Sequence, residues 1–183
     1  MSLLKIARMG NPVLMRRALR VEEPASPAIA RLVGDMIETM ADAGGVGLAA
    51  PQVHVGLRVV VYFVPPSRTE DGSEVPLTVL INPVIEPLGT ETALDREGCL
   101  SLPGMTGVVR RPVRIRLSYQ DLDGDRLERE ISGYHARVVQ HECDHLDGIL
   151  YPMRMDDLAS FGYVDEIYSQ TVNTEEEEQE PAA

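Results

Sequence analysis

The sequence of 183 residues predicts one α+β domain, in which a mainly antiparallel β-sheet packs around a central helix, with an N-terminal and a C-terminal helix beside it. Three observations support this fold class. An apolar stripe with helical spacing lies near the N-terminus, strand-like segments fill the middle of the chain, and two further helical patterns follow. Because the strands are grouped rather than alternating with helices, antiparallel pairing is expected.

The first helix is predicted to begin at Pro27. The Ser26 hydroxyl can cap its N-terminus, and proline costs nothing at the first helical position because its missing N–H has no partner there. Gly44 and Gly45 can end this helix. Between these signals the apolar residues recur at helical intervals, namely Ile29, Leu32, Val33, Met36, Ile37 and Met40.

Two buried strands are predicted next. Residues 57–64, LRVVVYFV, form a continuous β-branched run, which is typical of a strand buried on both faces. Residues 78–89 form a second strand region interrupted by Pro83, and a polar loop at residues 65–76 connects the two.

A hairpin and two helices complete the predicted domain. Apolar and polar residues alternate over residues 113–120, and the turn sequence DLDGDR leads into residues 127–132, so one hairpin face is buried and the other charged. A helix is expected from Gly133 to about Gly148, and an amphipathic helix at residues 156–170.

The helix after Gly133 carries a candidate metal site in the stretch QHECDHLDGILY, residues 140–151. On a helix, His145 lies about 40° around from His141 and one turn along, so both imidazoles can bind one ion. Glu142 lies at the flank of this face and can accept a proton from water. Cys143 points the opposite way and is expected to be a buried apolar residue. The alternative is a polar helix with unrelated histidines.

A catalytic metal bound by two histidines needs a third protein ligand and an open position. The candidate is Cys99 in EGCLSLPG, residues 97–104, which we expect in a loop after the second strand region, where Gly98 lets the backbone turn. The softness of sulfur favours iron(II) or zinc over magnesium or calcium. The alternative is an ordinary buried cysteine.

The segment GVGLAAPQ, residues 45–52, is rich in small residues. Such residues allow another backbone to approach closely, so an extended segment here can pair with a peptide substrate. The Gln52 amide N–H can stabilise a developing oxyanion. The alternative is a tight structural turn with a solvent-facing glutamine.

Taken together and in this order, GVGLAAPQ, EGCLS and HECDH resemble the three signature motifs of the peptide deformylases, metal hydrolases that remove the N-formyl group from newly made polypeptides. The resemblance runs from KIARMGNPVL to about DGILYPMRM, so only the C-terminal helix and the acidic tail lie outside it. It implies metal ligands at Cys99, His141 and His145, with Glu142 as general acid and base.

The resemblance also implies that the Gln52 amide and the Leu100 backbone N–H hold the formyl oxygen, and that backbone groups of Val46 and Gly47 bind the peptide. We further consider Val46, Leu100 and Val138 as the walls of an apolar methionine pocket, with core packing as the alternative. Many bacterial members have an arginine where this chain has Met105 and Thr106, so the side-chain preference stays open.

The implied cofactor is one divalent ion, iron(II) first, with zinc, nickel or cobalt tolerated. The implied partners are N-formylmethionyl peptides and nascent chains, with a transient ribosome contact. A formal net charge of −12 disfavours direct nucleic-acid binding, because phosphate backbones would be repelled. No apolar run reaches the roughly 18 residues that a membrane span requires, and no targeting segment is recognised, so we expect a cytoplasmic protein.

We therefore expect one metal-hydrolase catalytic domain over residues 1–170. A disordered acidic tail is expected at residues 171–183, where EEEEQEP supplies five carboxylates. With only two cysteines in different roles, a disulfide framework is not expected.

Two other functions fit parts of the sequence. A zinc metallopeptidase would take its third ligand from Glu166 on the last helix. A binding protein with a closed structural metal site would recruit Cys143, His54 or His135 as a further ligand. Asp144 is expected to orient a metal ligand or to pair with an arginine behind the ligands, with a solvated helix residue as the alternative.

Overall fold

The structure is a computed structural model, and it describes residues 2–69 and 72–169. Gln170 and the acidic tail predicted at residues 171–183 lie outside the described residues. The longest helices of the described part are α1, Pro27–Asp42, and α2, Gly133–Leu146. Short 3₁₀ helices occupy Pro12–Met15, Ala50–Val53, Pro66–Arg68, Tyr151–Arg154 and Leu158–Ser160.

The strands form two sheets. The larger has the order β1-β2-β3-β6-β7, and the smaller the order β4-β5-β8. Every pair of neighbouring named strands is antiparallel, so the predicted α+β fold with mainly antiparallel pairing is confirmed. The strands are β1 Gly47–Ala49, β2 Val59–Val64, β3 Val75–Pro87, β4 Thr92–Cys99, β5 Leu102–Pro112, β6 Arg114–Gln120, β7 Arg126–Ser132 and β8 Gly162–Tyr163.

The two long helices cover opposite faces of the larger sheet. Val59 and Val61 of β2 pack into the cluster that contains the apolar face of α1. Val60 and Tyr62 point the other way, into the cluster that contains the apolar face of α2. Because successive strand residues point to opposite faces, a strand covered on both sides is apolar throughout. This explains the continuous run in residues 57–64.

Helix α1 begins and ends as predicted. The Ser26 side chain accepts a hydrogen bond from the Ile29 N–H, and Gly44 after the helix adopts a positive φ of 66°. The predicted apolar stripe faces the sheet, with Leu32 and Ile37 at its partly buried border. No helix of the described residues is long and apolar enough to cross a membrane.

Pro83 interrupts the pairing of the second strand region, as predicted, but it does not end the strand. Strand β3 continues through Pro83, and its pairing with β6 shifts register between Ile81 and Val84. Asn82 absorbs this irregularity with a φ of 54°, and its side chain bonds both the N–H and the carbonyl of Val21. The local bulge accommodates the missing N–H of proline without ending the strand.

The prediction that Cys99 lies in a loop was wrong. Cys99 is the last residue of β4, which pairs with β5, and the register shifts between Gly98 and Cys99. Most of β4 is exposed, so it lacks the apolar alternation that predicts a strand. The hairpin of β6 and β7 is present as predicted, and Ile115, Leu117 and Tyr119 form its buried face.

The last helix begins later than predicted. In place of a helix from Asp156, the chain forms a 3₁₀ turn at Leu158–Ser160 and then β8, and residues 164–169 are helical. Strand β8 pairs with β5 through Thr106 and Met105. This pairing uses backbone groups that the apolar pattern of a helix does not reveal, and it brings the C-terminal segment beside β5.

Candidate metal centre

Helix α2 presents His141 and His145 on one side, with their ring centroids 5.1 Å apart. The Sγ of Cys99, at the end of β4, lies 3.3 Å from the Nε2 of His145. One ligand atom from each of Cys99, His141 and His145 lies within 4.8 Å of the other two, and the described residues contain no other such group of His, Cys, Asp or Glu. Cys143 is buried in the core instead, where burial raises the pKa of its thiol.

This triad fits a divalent ion. Bonds of about 2.0–2.3 Å place two ligand atoms of one ion no more than about 4.5 Å apart, which is close to the observed spacing. Burial, with the charges of His141 and Arg111, holds the pKa of His145 well below its usual value. His145 is therefore neutral, which is the form that binds a metal. A set of one sulfur and two nitrogens suits iron(II) or zinc.

Glu97 fixes the orientation of the His141 ring through a hydrogen bond. Its Oε2 lies 2.8 Å from the Nδ1 of His141, which leaves the other ring nitrogen of His141 for the ion. Burial lowers the pKa of His141, but contacts with Cys99 and Glu97 outweigh burial and raise that pKa well above its usual value. An ion bound here competes with this proton.

The Glu97 carboxylate lies in a buried ionic network. Arg111 donates to both of its oxygens at 2.9 Å, and Arg137 donates to Oε1 at 2.8 Å. Burial alone would raise the pKa of Glu97, but its hydrogen bonds with His141 and Arg111 hold that pKa well below its usual range. Arg111 and Arg154 in turn bind Asp144, so the predicted pairing with an arginine is confirmed and the alternative of a solvated Asp144 was wrong.

Glu142 points into the cleft beside the triad. It is 5 % exposed, and its Oε2 has no hydrogen-bond partner among the described residues. Burial raises the pKa of Glu142 to about 7, with the nearby Glu97 acting in the same direction. A carboxyl group with a pKa near neutrality can both accept and return a proton. Gly47 makes room for it, since a Cβ at that position would lie 2.7 Å from the Glu142 Cδ.

Gln52 is buried and does not face solvent, so the alternative of a solvent-facing glutamine was wrong. Its Oε1 accepts a hydrogen bond from the Ala49 N–H at 2.9 Å, which fixes the orientation of the amide. Its Nε2 then lies 3.2 Å from the Ser101 Oγ and 3.5 Å from the Cys99 Sγ. The amide N–H groups thus face the metal centre.

A cleft of about 390 Å³ opens onto these groups. Residues 44–47 form one wall, residues 98–105 form much of the other, and His141, Glu142, Gln52 and Val164 complete it. The cleft thus brings together the predicted site residues Val46, Gly47, Gln52, Cys99, Leu100, His141 and Glu142, with His145 behind them in the triad.

Other candidates lie elsewhere. Val138 packs in the core against the larger sheet and does not line the cleft, so its assignment to the substrate pocket was wrong. Thr106 is buried and donates to the Glu97 carbonyl. His135 pairs with the Tyr62 hydroxyl, and His54 is exposed. Like Glu166, neither belongs to the triad.

The site residues that were not predicted from the sequence are Glu97, Arg111, Arg137 and Val164. A signal existed for Glu97, because a metal-binding histidine usually donates its second N–H to a carboxylate and Glu97 stands in the EGCLS motif. The two arginines reach Glu97 from 14 and 40 residues away, which no local pattern reveals.

The sequence matches known proteins over most of its length. A family model described as polypeptide deformylase matches residues 3–161. Peptide deformylase 1 of Nitrosomonas europaea is 51 % identical over 164 residues, which cover 89 % of this chain and 93 % of the relative. Peptide deformylase 1 of Bordetella pertussis is 52 % identical, with the same coverage of both chains.

Solved structures agree with these matches. A Met-Ala-Ser-bound class I type b peptide deformylase of Acinetobacter baumannii has a TM-score of 0.79 at 38 % identity, covering 84 % of this chain and 99 % of its own. The peptide deformylase of Ehrlichia chaffeensis has a TM-score of 0.79 at 33 % identity, covering 96 % and 97 % of the two chains.

Proposed function

The chain belongs to the polypeptide deformylase family, and from this membership we propose how its residues carry out the reaction and which ion they hold. It is a metal-dependent hydrolase that removes the formyl group from peptide N-termini, a step of N-terminal processing in protein biosynthesis. The residue assignments rest on one observation. The triad of Cys99, His141 and His145 lies beside Glu142 and Gln52 at one cleft.

We propose that Cys99, His141 and His145 hold iron(II). The thiolate favours a soft or borderline ion, and zinc, nickel and cobalt are the alternatives. When bound, the ion lowers the pKa of water and polarises the formyl carbonyl. Glu97 keeps the His141 ring in place by accepting its second N–H.

Glu142 moves the proton. It accepts a proton from the water that attacks the formyl carbon, and it passes this proton to the nitrogen as the C–N bond breaks. The products are formate and a free amino terminus. The Gln52 amide and the Leu100 backbone N–H donate to the formyl oxygen as negative charge develops on it, and a well-placed donor of this kind contributes about 3 kcal/mol in the transition state.

The peptide binds by strand addition along residues 44–47, which lead into β1. Strand β1 lies at an edge of the larger sheet, and Val46 and Gly47 line the cleft. The Acinetobacter protein binds Met-Ala-Ser, and we propose that this chain receives N-formylmethionyl peptides in the same manner, with the methionine side chain between Val46 and Leu100.

In the cell the substrates are nascent chains in the cytoplasm. A transient ribosome contact fits this role, whereas the formal net charge of −12 disfavours direct binding to nucleic acid. We assign the catalytic domain to residues 1–170 and treat the acidic segment 171–183 as a tail outside it.

The test is anaerobic formate release from formyl-Met-Ala-Ser by the iron-loaded and zinc-loaded chain. Glu142→Ala is expected to keep its metal and lose nearly all turnover, because the triad does not include this carboxylate. Full turnover in that variant would remove Glu142 from the mechanism.

Metal content separates this assignment from a zinc metallopeptidase. Cys99→Ala is expected to lose metal, and Glu166→Ala is expected to retain it. The opposite pattern would favour the metallopeptidase. Retention of metal by Cys99→Ala, together with spectra showing four protein ligands, would favour a closed structural site.

A further inference from the structure

A second cavity, of about 830 Å³, adjoins the cleft. Its walls include Leu100 and Pro103, which also line the cleft, and Ala43, which precedes the cleft residue Gly44. The Leu100 side chain packs so close to Gly45 that a Cβ there would lie 2.8 Å from the Leu100 Cδ1. Leu100 therefore stands at the boundary between the two spaces.

The other wall of this second cavity is the N-terminal segment, which is fixed to the catalytic loops. The Ala7 N–H donates to the Gln52 carbonyl at 2.7 Å, and the Met9 N–H donates to the Ser101 carbonyl at 2.8 Å. Ala7 is buried, whereas Lys5 and Arg8 on either side are exposed. Both charged side chains thus project from a backbone anchored to the active site.

The direction of the bound peptide follows from burial along β1. The formyl group must lie by Glu142 and Gln52, and Glu142 lies beside Gly47. Beyond Gly47, Leu48, Ala49 and Ala50 are fully buried, so the peptide cannot continue that way. It must run past Val46 and Gly45 towards Gly44 and Ala43, antiparallel to β1.

This direction leads the peptide to the second cavity. Each extended residue advances about 3.4 Å, so the third and fourth residues have passed Gly45 and reach the Ala43 end of the cleft. There the cavity presents Lys5, Arg8 and His54, and none of its lining residues is acidic in the part of the chain that the structure describes. Lys5 and Arg8 have no ion-pair partner among those residues.

We propose that this second cavity binds the third and fourth residues of the substrate peptide and favours acidic side chains there through Lys5 and Arg8. The inference rests on the proposed function, because it extends the same peptide path. A carboxylate on a bound peptide suits this local positive charge, whereas a polyanion would meet the repulsion of a chain with a net charge of −12.

The test compares amidated peptides formyl-Met-Ala-X-X-Ala, in which X is Asp, Asn or Lys. We expect kcat/KM to fall in the order Asp, Asn, Lys, with about a threefold step between Asp and Asn, since exposed ion pairs are weak. The difference should lie in KM, because the contact is remote from the reacting bond and is made equally before and in the transition state. It should shrink at high salt.

Charge variants locate the preference. Lys5→Gln with Arg8→Gln is expected to make the Asp and Asn peptides equal, and Lys5→Glu with Arg8→Glu to reverse the order. The matched control for the double glutamate variant is Arg31→Glu with Arg126→Glu. It changes the net charge by the same amount, at two exposed sites that do not line this second cavity. The control should keep the wild-type order.

Each outcome is decisive. Wild-type indifference to X, or an equal loss of preference in the control variant, overturns the inference while the deformylase activity stands. Absence of formate release from every formyl peptide overturns the proposed function, and this inference with it. Formate release from the Asn peptide by each variant confirms that the variant is folded.

Discussion

At the scale of single residues, Glu97 connects the fold to the chemistry. Its carboxylate is nearly fully buried and accepts hydrogen bonds from Arg111, Arg137 and His141. A buried carboxylate is tolerated only when it is fully paired, and the partners gain the same benefit in return. The residue that orients the proposed metal ligand His141 therefore also neutralises two buried arginines.

Removal of Glu97 should therefore affect both stability and metal binding. Glu97→Ala leaves Arg111 and Arg137 buried without their carboxylate, and we expect a loss of about 3–5 kcal/mol in the free energy of unfolding. We also expect metal affinity to fall about ten- to hundredfold, because His141 loses its support. Urea denaturation and metal titration measure the two effects.

The control for this change is Glu130→Ala. Glu130 forms exposed ion pairs with Arg114 and Arg116 on the larger sheet, so its removal should cost less than about 1 kcal/mol. Equal costs for the two variants would contradict the role given to Glu97.

At the scale of elements, features set by residues close together in the sequence could be predicted, and features set by distant residues could not. Helix α2 and its two histidines were predictable because a helical period and a four-residue spacing are local. Strand β4 was not, because it is mostly exposed and is held by pairing with β5. The place of Val164 in the cleft depends on β8 pairing with β5, some 60 residues away in sequence. The motifs thus predicted residues that meet in the cleft, but not the walls around them.

A prediction concerns Gly47, the first residue of β1. A methyl group at this position would collide with the buried Glu142 side chain, so Gly47→Ala should displace the carboxylate and lower kcat about a hundredfold. Gly34→Ala is the control, since no atom lies within 4 Å of its added Cβ. It should retain activity and gain about 0.5–1 kcal/mol of stability. Unchanged kcat in Gly47→Ala would show that Glu142 can act from another position.

A further prediction concerns Val164, which directly follows β8 and lies beyond the residues matched by the family model. Its side chain lines the cleft and is 39 % exposed. Val164→Ala removes part of this apolar wall, so KM for formyl-Met-Ala-Ser should rise up to about fivefold while kcat stays constant. Leu158→Ala, at an exposed residue outside the cleft, should change neither constant.

At the scale of the whole molecule, the ion should act as a structural element as well as a catalyst. The triad joins α2, which covers the larger sheet, to β4, which belongs to the smaller one. Binding at this junction stabilises only the folded chain. The overall layers were predictable from patterning, but this junction between the sheets was not, because Cys99 was expected in a loop.

Removal of the metal should therefore lower the melting temperature. At a free metal concentration of about 100 Kd, binding contributes about 2.7 kcal/mol, which corresponds to a shift of about 5–10 °C for a chain of this size. Calorimetry before and after chelation measures the shift, and adding metal back should restore it. Cys99→Ala should melt at the same temperature with and without chelator. A chelator-sensitive shift in that variant would place the stabilising ion elsewhere.

The short edge formed by β1 has a consequence for self-association. An exposed sheet edge invites pairing with the edge of another molecule, and long flat edges lead to aggregation. The β1 edge has only three residues, all buried, and Gly47 at its start lines the cleft. A single flexible peptide can enter it, whereas the edge of a folded sheet is too broad. The same recess that admits an unfolded chain end therefore protects the β1 edge against pairing with other copies of the protein.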